Sequence, residues 1–232
     1  MRPRLLLGLL IPLASAGLFV RLGFWQLRRL DERRAFNSIL SERLASPPTD
    51  AAQLPTDTAL GHYRRASATG VLQWDREVVY AGRSRNGSPG VNILTPLRLA
   101  GGGLLMVNRG WAYSPDAGSI DLTKWREHDS VRVTGFVETW VGVPRAGAKP
   151  ADPPKLHSLQ RAAIEAAVRE PVMPYLLVQT SDSAYRADSV PVRLTLPVLD
   201  EGPHLNYALQ WFGFALIAVV GGVVLFVRSR DG

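Results

Sequence analysis

Long apolar segments open and close this sequence, and a mixed pattern lies between them. The first extends from Leu5 to Leu27 and includes Pro12 and one charge, Arg21. The second extends from Leu205 to Val227, contains no charge and is followed by Arg228. A helix of about 20 apolar residues spans the roughly 30 Å hydrocarbon core of a bilayer. Both segments reach that length, so the pattern predicts two transmembrane helices.

The first segment has two interpretations. Arg2 and Arg4, the apolar run behind them and the small residues Ala14-Ser15-Ala16 are typical of a cleavable signal peptide. The apolar run nevertheless continues to Trp25, and the pair Arg28-Arg29 that follows is typical of an anchor at the membrane interface. Signal peptides have shorter apolar cores, so the length favours a retained anchor.

Charge counting alone leaves the orientation of these helices open. Cytoplasmic ends of transmembrane helices are enriched in Lys and Arg. Arginines stand on both sides here: Arg2, Arg4, Arg228 and Arg230 lie near the termini, and Arg28, Arg29, Arg33 and Arg34 follow the first span.

The region between the spans reads as a small β-rich domain with a few helices. Asp31 to Leu44 has apolar residues at helical spacing and predicts a short amphipathic helix, and Ser158 to Arg169 predicts another. A Pro-rich loop is expected from Val143 to Pro154. Short segments rich in Val, Leu, Thr and aromatic residues predict strands at Tyr63–Leu72, Glu77–Arg83, Val91–Leu99, Leu104–Trp111, Val131–Val137, Tyr175–Thr180 and Val192–Leu196.

These elements predict an α+β membrane protein in which two transmembrane helices flank the β-rich domain. The strands are short and closely spaced, which favours a small antiparallel barrel or sheet. The Gly101-Gly102-Gly103 break predicts a hairpin between its neighbouring strands. We expect boundaries at 1–29 for the first helix, 30–203 for the domain, and 204–232 for the second helix with its short tail.

Composition excludes several classes of function. The net charge of +7 and the pI near 10.2 would suit nucleic-acid binding, but the arginines border apolar segments, where they contact lipid headgroups. The chain has no cysteine, which excludes disulfides, thiolate copper sites and covalent haem attachment. No hydrolase, kinase, dinucleotide or zinc motif occurs, so no enzyme is predicted.

One histidine stands at the start of the second span. On a helix, His204 shares a face with Tyr207, Ala208, Trp211 and Ala215. A flat macrocycle fits such a face, with the imidazole as axial iron ligand. The alternative is an interfacial cap, because His, Tyr and Trp all favour the headgroup zone.

Antiparallel packing of the two spans would bring further polar side chains to the level of His204. These are Arg21, Trp25, Gln26 and Gln210. Arg21 either pairs with a haem propionate or snorkels to headgroups. The two glutamines are expected to hydrogen-bond across the helices.

The β-rich region contributes one further candidate, Asn108-Arg109-Gly110-Trp111 at the end of a predicted strand. Arg109 either binds a partner's carboxylate beside an exposed Trp111, or the segment is a turn glycine next to a core tryptophan.

Four segments, in this order, resemble the Surfeit locus protein 1 family. They are Gly23-Phe24-Trp25-Gln26-Leu27-Arg28-Arg29, Gly90 to Leu97, Val107-Asn108-Arg109-Gly110-Trp111, and His204 to Gly213. The sequence departs from the family pattern at Val91, where an aromatic residue is common, at Gly202-Pro203, and in the displaced Pro115.

The resemblance implies an assembly factor for haem-copper cytochrome c oxidase, which assists delivery or insertion of haem a. It implies the catalytic subunit and haem a synthase as partners, besides the lipid membrane. It also implies cytoplasmic termini in the bacterial plasma membrane, a domain on the opposite side, and a role for His204 in haem binding. Tyr207 and Trp211 are candidates for haem binding from the helical spacing alone. Two alternatives remain open: a structural chaperone without haem, and an exported enzyme whose site lies in the β domain.

Overall fold

A long helix lies at each end of the chain, and the strands lie between them in the sequence. The computed structural model describes residues 3–140, 153–181 and 191–228, with side chains from residue 10 onward. Helix α1 extends over Pro3–Ala45 and α4 over His204–Arg228. Both are long and apolar enough to cross a membrane. Two short helices lie between them, α2 at Thr58–Gly61 and α3 at Arg161–Val168.

Eight strands form one mixed sheet. They are β1 Thr49–Asp50, β2 Arg65–Leu72, β3 Val78–Arg85, β4 Ser88–Leu99, β5 Leu104–Tyr113, β6 Ser130–Thr139, β7 Lys155–Leu156 and β8 Tyr175–Gln179. The strand order is β1-β2-β6-β8-β5-β4-β3-β7, and β2 also pairs with β4. The pairings of β2, β6, β8, β5 and β4 therefore close into a ring.

The inner face of this ring forms the main core. Side chains from all five ring strands pack together, among them Ala68, Leu97, Val107, Val137 and Leu177. Every second residue of a strand supplies these side chains, as Leu105 and Val107 of β5 do, and they share one face because successive residues of a strand point to opposite sides. Their burial supplies most of the driving force for this part of the fold.

Local sequence explains the hairpins. The β3–β4 turn is the two-residue loop Asn86-Gly87, in which both residues have positive φ. Asn-Gly is the preferred pair for such a turn, since its twist matches that of the flanking strands. The Gly101-Gly102-Gly103 segment joins β4 to β5 as an antiparallel hairpin, as the sequence predicted.

Two compact units result: the helix-pair unit, residues 1–41 with 198–232, and the strand unit, residues 42–197. The predicted fold class is confirmed, with long apolar terminal helices flanking a sheet-rich domain. The sheet is mixed, however, because β1–β2, β3–β7 and β5–β8 are parallel pairs.

Two details differ from the sequence predictions, and a third prediction lies mostly outside the described residues. Asp31–Leu44 is no separate helix but the continuation of α1, which also runs unbroken through Ala14–Ala16. Val192–Leu196 contributes only isolated bridges, from Val192 to Trp111 and from Leu194 to Thr180. Most of the predicted Pro-rich loop (residues 143–152) and Arg230 lie outside the described residues.

Candidate functional site

The two long helices pack antiparallel within the helix-pair unit, and aromatic contacts fix their register. Phe19 of α1 stacks on Trp211 of α4 with ring centroids 5.7 Å apart. Phe24 meets Phe212 edge to face at 5.4 Å. A Cβ at Gly23 would lie 2.6 Å from the Phe212 ring, so only glycine permits this approach. The start of α4 is therefore level with the part of α1 around Gln26.

His204 makes a specific contact at that level. Its Nδ1 lies 2.8 Å from Oε1 of Gln26, and the Gln26 side chain is buried. An amide oxygen only accepts hydrogen bonds, so Nδ1 carries the proton and donates. The lone pair of the neutral imidazole then resides on Nε2. This hydrogen bond thus selects the tautomer whose free nitrogen can bind a metal.

The backbone in front of α4 is held by α1. Asn37 Nδ2 and Arg33 Nε both donate to the carbonyl oxygen of Asp200, at 2.8 and 3.1 Å. Arg34 forms a two-pronged ion pair with Glu201, with both N–O distances 2.9 Å. Hydrogen bonding from Arg34 lowers the pKa of the Glu201 carboxyl. These contacts set where the helix carrying His204 begins.

Gly202 keeps one side of the imidazole accessible. Its φ is +71°, and its N–H donates to Oδ1 of Asp200 at 2.6 Å in a local turn. A Cβ at this position would lie 3.4 to 3.5 Å from Cδ2 and Nε2 of His204. Glycine therefore supplies both the left-handed turn and the open space beside Nε2.

A polar groove of about 380 Å³ opens beside His204. Two arginines and a phenylalanine contribute to it, together with an acidic residue that pairs with Arg29 at 2.6 Å. The lining residues are Arg29, Glu32, Arg33, Phe36, Asp200, Gly202 and His204. The groove thus combines one nitrogen ligand with basic side chains that suit carboxylates.

The other two predicted site residues occupy different surroundings. Trp211 is half-buried, stacks on Phe19 and meets Phe214 edge to face at 5.9 Å. It lines a second, apolar groove between the helices rather than the polar one. Tyr207 is exposed on α4 and lines neither groove. Arg21, Trp25 and Gln210 are also exposed, and Gln26 makes its cross-helix contact with His204 instead of Gln210.

The donor set fits a haem. A neutral imidazole nitrogen is the commonest protein ligand of haem iron, and guanidinium groups pair with propionate carboxylates. His204, Arg29 and Arg33 supply both kinds of group along one groove. Among residues 3–140, 153–181 and 191–228, no cluster of three His, Asp or Glu side chains is arranged to hold a bare metal ion.

A buried ionic cluster, here the Arg109 cluster, lies in the strand unit. It consists of Arg109, Glu77, Glu127, Arg193 and Thr95. The Arg109 side chain is 1% exposed and donates to both Glu77 and Glu127, at 3.1 and 2.7 Å. Arg193 pairs with Glu127, and Thr95 donates to Glu77 at 2.8 Å. Of the two interpretations of this segment, the one in which Arg109 binds a partner's carboxylate is therefore wrong, because its guanidinium is enclosed by its own chain.

The pKa values of the two carboxyls in the Arg109 cluster are shifted in opposite directions. Burial raises the pKa of Glu77, and the hydrogen bond from Thr95 and the nearby charge of Arg109 only partly offset it. Burial would also raise the pKa of Glu127, but Arg109 and Arg193 outweigh it and lower that pKa. Sequence spacing gave no sign of this cluster, since its members are distant along the chain.

A small cavity next to Glu77 is where the exported-enzyme alternative would place a site. Its volume is about 380 Å³, and Trp74, Asp75, Asp121 and Arg126 are among its lining residues. Glu77, its one deeply buried carboxyl, is engaged by Arg109 and Thr95. The cavity also contains a hydroxyl paired with a carboxylate, since Thr123 Oγ1 donates to Oδ1 of Asp121 at 2.6 Å. That contact belongs to the cap of the short helical turn Leu122–Trp125, which is a local structural role.

Comparison with known proteins gives a consistent result. Residues 13–216 match the sequence profile of the SURF1 family. A SURF1-like protein of Rickettsia bellii is 27% identical over 206 residues, covering 88% of this chain and 84% of that protein. A SURF1-like protein of Rickettsia conorii is 25% identical over 217 residues, covering 92% and 88%. One of Monosiga brevicollis is 24% identical over 234 residues, covering 96% and 86%.

Proposed function

Because the chain belongs to the SURF1 family, we propose that it is a membrane-anchored assembly factor for cytochrome c oxidase that holds haem a transiently. The observation that carries this proposal is the hydrogen bond between His204 Nδ1 and Gln26 Oε1. An interfacial histidine that serves only as a cap needs no fixed tautomer, whereas a metal ligand does. The proposed role requires no reaction catalysed by this chain.

Each residue of the site has a separate task in this proposal. Haem a would bring an iron centre that takes a nitrogen ligand, and Nε2 of His204 would supply that ligand. Gln26 holds the Nδ1 proton and with it the ring orientation. Asn37 and Arg33 fix the Asp200 carbonyl in front of the helix, and Gly202 leaves space beside Nε2. Arg29 and Arg33 would receive the propionates.

The ligand count favours transient holding over permanent storage. His204 is the only histidine in residues 1–41 and 198–232, and the chain has no cysteine. The helix-pair unit therefore offers one imidazole and no thiolate. A single neutral axial ligand binds haem less tightly than two ligands do, which suits a carrier that must release its cargo.

The location and partners follow from the same proposal. The chain would sit in the bacterial plasma membrane with cytoplasmic termini and the strand unit on the opposite side. Two apolar helices at the ends of the chain support the membrane location. Haem a synthase would supply the haem, and the catalytic subunit of the oxidase would receive it.

Absorbance in the Soret region tests the proposal. The protein is produced together with haem a synthase and purified in mild detergent. We expect a haem a spectrum for the wild type and its loss in His204→Ala. His128→Ala is the matched control, because His128 is an exposed histidine of the strand unit.

The outcomes separate the candidate functions. Unchanged haem content in His204→Ala would remove His204 as the ligand. A wild type without any Soret band that still co-purifies with the oxidase catalytic subunit would point to the structural-chaperone alternative.

A further inference from the structure

We infer that the apolar groove between α1 and α4 is a subsite for the isoprenoid tail of the haem whose iron is held at His204. This inference rests on the proposed function and extends it from the iron ligand to the tail. It assigns a ligand chemistry to a surface that the iron site alone does not explain.

The groove is large and almost free of polar surface. Its volume is about 570 Å³, and it lies between the membrane-spanning parts of the two helices. Aromatic rings form the end nearer to His204, and small and aliphatic residues form the rest. The lining residues are Ile11, Pro12, Ser15, Phe19, Trp211, Phe214, Ile217, Ala218, Gly221, Gly222 and Leu225.

The apolar groove and the polar groove lie on the same side of the helix pair. His204 and Trp211 are seven residues apart on α4, which is about two helical turns, so they share a face. Ser15 and Arg33 are eighteen residues apart on α1, which is about five turns, so they also share a face. The two grooves therefore follow one another along a single side, with Trp211 about 10 Å below His204 at 1.5 Å per residue.

Small residues create the depth of the apolar groove. Gly222 packs against Pro12, where an added Cβ would lie 2.9 Å from the proline. Gly221 differs, since nothing lies within 4 Å of the position that its Cβ would take. The missing side chain at Gly221 thus leaves open space in the groove, while Gly222 serves helix packing.

Charge and polarity choose the occupant. The polar groove presents Arg29 and Arg33 beside His204, and the apolar groove below it presents hydrocarbon and aromatic surface with one hydroxyl residue, Ser15. A ligand that spans both needs carboxylates at one end, a metal at the middle and a long apolar chain at the other end. A farnesylated haem has this order of groups, whereas a phospholipid acyl chain would use only the lower groove.

A pair of glycine variants tests the subsite. In a helix, side chains point back towards the N-terminus, so the ring in Gly221→Phe would extend along the groove towards Phe214. Gly213→Phe is the matched control: Gly213 lies on the same helix, nothing is within 4 Å of its Cβ position, and it does not line the groove. Both variants are compared with the wild type for two haems, haem o with a farnesyl tail and haem b without one.

Titration of the purified protein in nanodiscs, followed by haem absorbance, gives the two affinities. We expect the wild type and Gly213→Phe to bind haem o at least about tenfold more tightly than haem b, because the tail buries apolar surface in the groove. In Gly221→Phe, haem o should bind only as tightly as haem b, and haem b itself should bind as in the wild type.

Three results would overturn the inference. The first is a wild type that binds both haems equally, the second is a haem o preference that survives in Gly221→Phe, and the third concerns the control variant. Equal binding of both haems leaves the iron site at His204 standing, whereas a wild type that binds neither haem removes the proposed function as well. A preference lost equally in Gly213→Phe would show a lipid-facing effect and would also contradict the assignment to the groove.

Discussion

Polar side chains are held against apolar surroundings in two regions of this molecule, with opposite results. In the strand unit, Arg109 is almost inaccessible and its guanidinium is used up by Glu77, Glu127 and the Trp125 carbonyl. In the helix-pair unit, His204 is half-buried, and its Nδ1 donates a hydrogen bond to Gln26. The strand unit satisfies its buried polar groups internally, whereas the helix-pair unit leaves Nε2 of His204 available beside the polar groove.

This difference distinguishes polar side chains that stabilise the fold from polar side chains that are available to bind a ligand. Removing one partner of a buried ion pair leaves an uncompensated charge, so the Arg109 cluster is expected to act on stability. A hydrogen bond that fixes a tautomer at a groove contributes little to folding but decides which atom can bind a ligand. Substitutions in the two regions should therefore move different measurements.

The largest effect is expected for Arg109→Leu. The substitution removes the ion-pair partner of the buried Glu77 and leaves Glu127 with Arg193 alone, which should lower the free energy of unfolding by about 3–5 kcal/mol. Tryptophan fluorescence during denaturation in detergent reports this unit, because Trp74 lies against Arg109, with Cζ 4.7 Å from the ring centroid. His204→Ala should change the same quantity by no more than about 0.5 kcal/mol. Equal losses of unfolding free energy in Arg109→Leu and His204→Ala would contradict the distinction between the two regions.

A smaller effect, on binding alone, is expected for Gln26→Leu. Without the acceptor, the His204 ring loses its fixed tautomer, and haem affinity should fall about 10- to 100-fold while the unfolding transition stays in place. Gln210→Leu is the control, since Gln210 is exposed and lines neither groove. Gln26→Glu keeps an acceptor and should retain binding. An unaltered affinity in Gln26→Leu would remove the positioning role.

The smallest effect is expected at an exposed ion pair of the strand unit. Hydrogen bonds from Arg98, together with Arg76, lower the pKa of Glu170 from 4.5 to about 2. A carboxyl with a lowered folded-state pKa stabilises the fold above its unfolded-state pKa, and this contribution disappears as the pH falls from about 4.5 to about 2. Glu170→Gln should therefore be slightly less stable at pH 7.

The pH dependence tests that assignment. The gap in unfolding midpoint between the wild type and Glu170→Gln should narrow as the pH approaches 2. A gap that stays constant with pH would show that the carboxylate charge contributes nothing there. The side chain of Glu170 is 31% exposed, so its contribution is expected to stay well below that of the enclosed Arg109.

Much of the fold could be predicted because local pattern decides it. The spans follow from the length of the apolar segments, and strands β2 to β6 begin and end within three residues of their predicted bounds. Asn86-Gly87 and the Gly101–Gly103 break fix two hairpins through backbone conformation. Parallel pairs such as β5–β8 were not predictable, since they join segments far apart in the sequence.

The candidate site was predictable in part, for a similar reason. Helical spacing places His204 and Trp211 on one face, and antiparallel spans bring Gln26 to their level. Spacing does not reveal which atom of the imidazole is left open, because that depends on a contact across 178 positions of sequence. It also missed Asn37 and its bond to the Asp200 carbonyl. The continuity of α1 past Asp31 was missed too, because the apolar residues at helical spacing in Asp31–Leu44 were interpreted as a separate short helix.

Because α1 is unbroken, it fixes both the distance and the angle between any two of its residues. Its 43 residues span about 64 Å at 1.5 Å per residue, twice the thickness of a hydrocarbon core. Gln26 and Asn37 are eleven residues apart on α1, or about three turns, so they lie on one face. From that face Gln26 contacts His204 and Asn37 contacts the Asp200 carbonyl. One residue inserted between Gln26 and Asn37 would rotate the two side chains about 100° apart around the helix axis. A change of length between Gln26 and Asn37 should therefore break one of the two contacts, because a partial turn alters the phase and a whole turn moves the residues about 5.4 Å further apart along the axis.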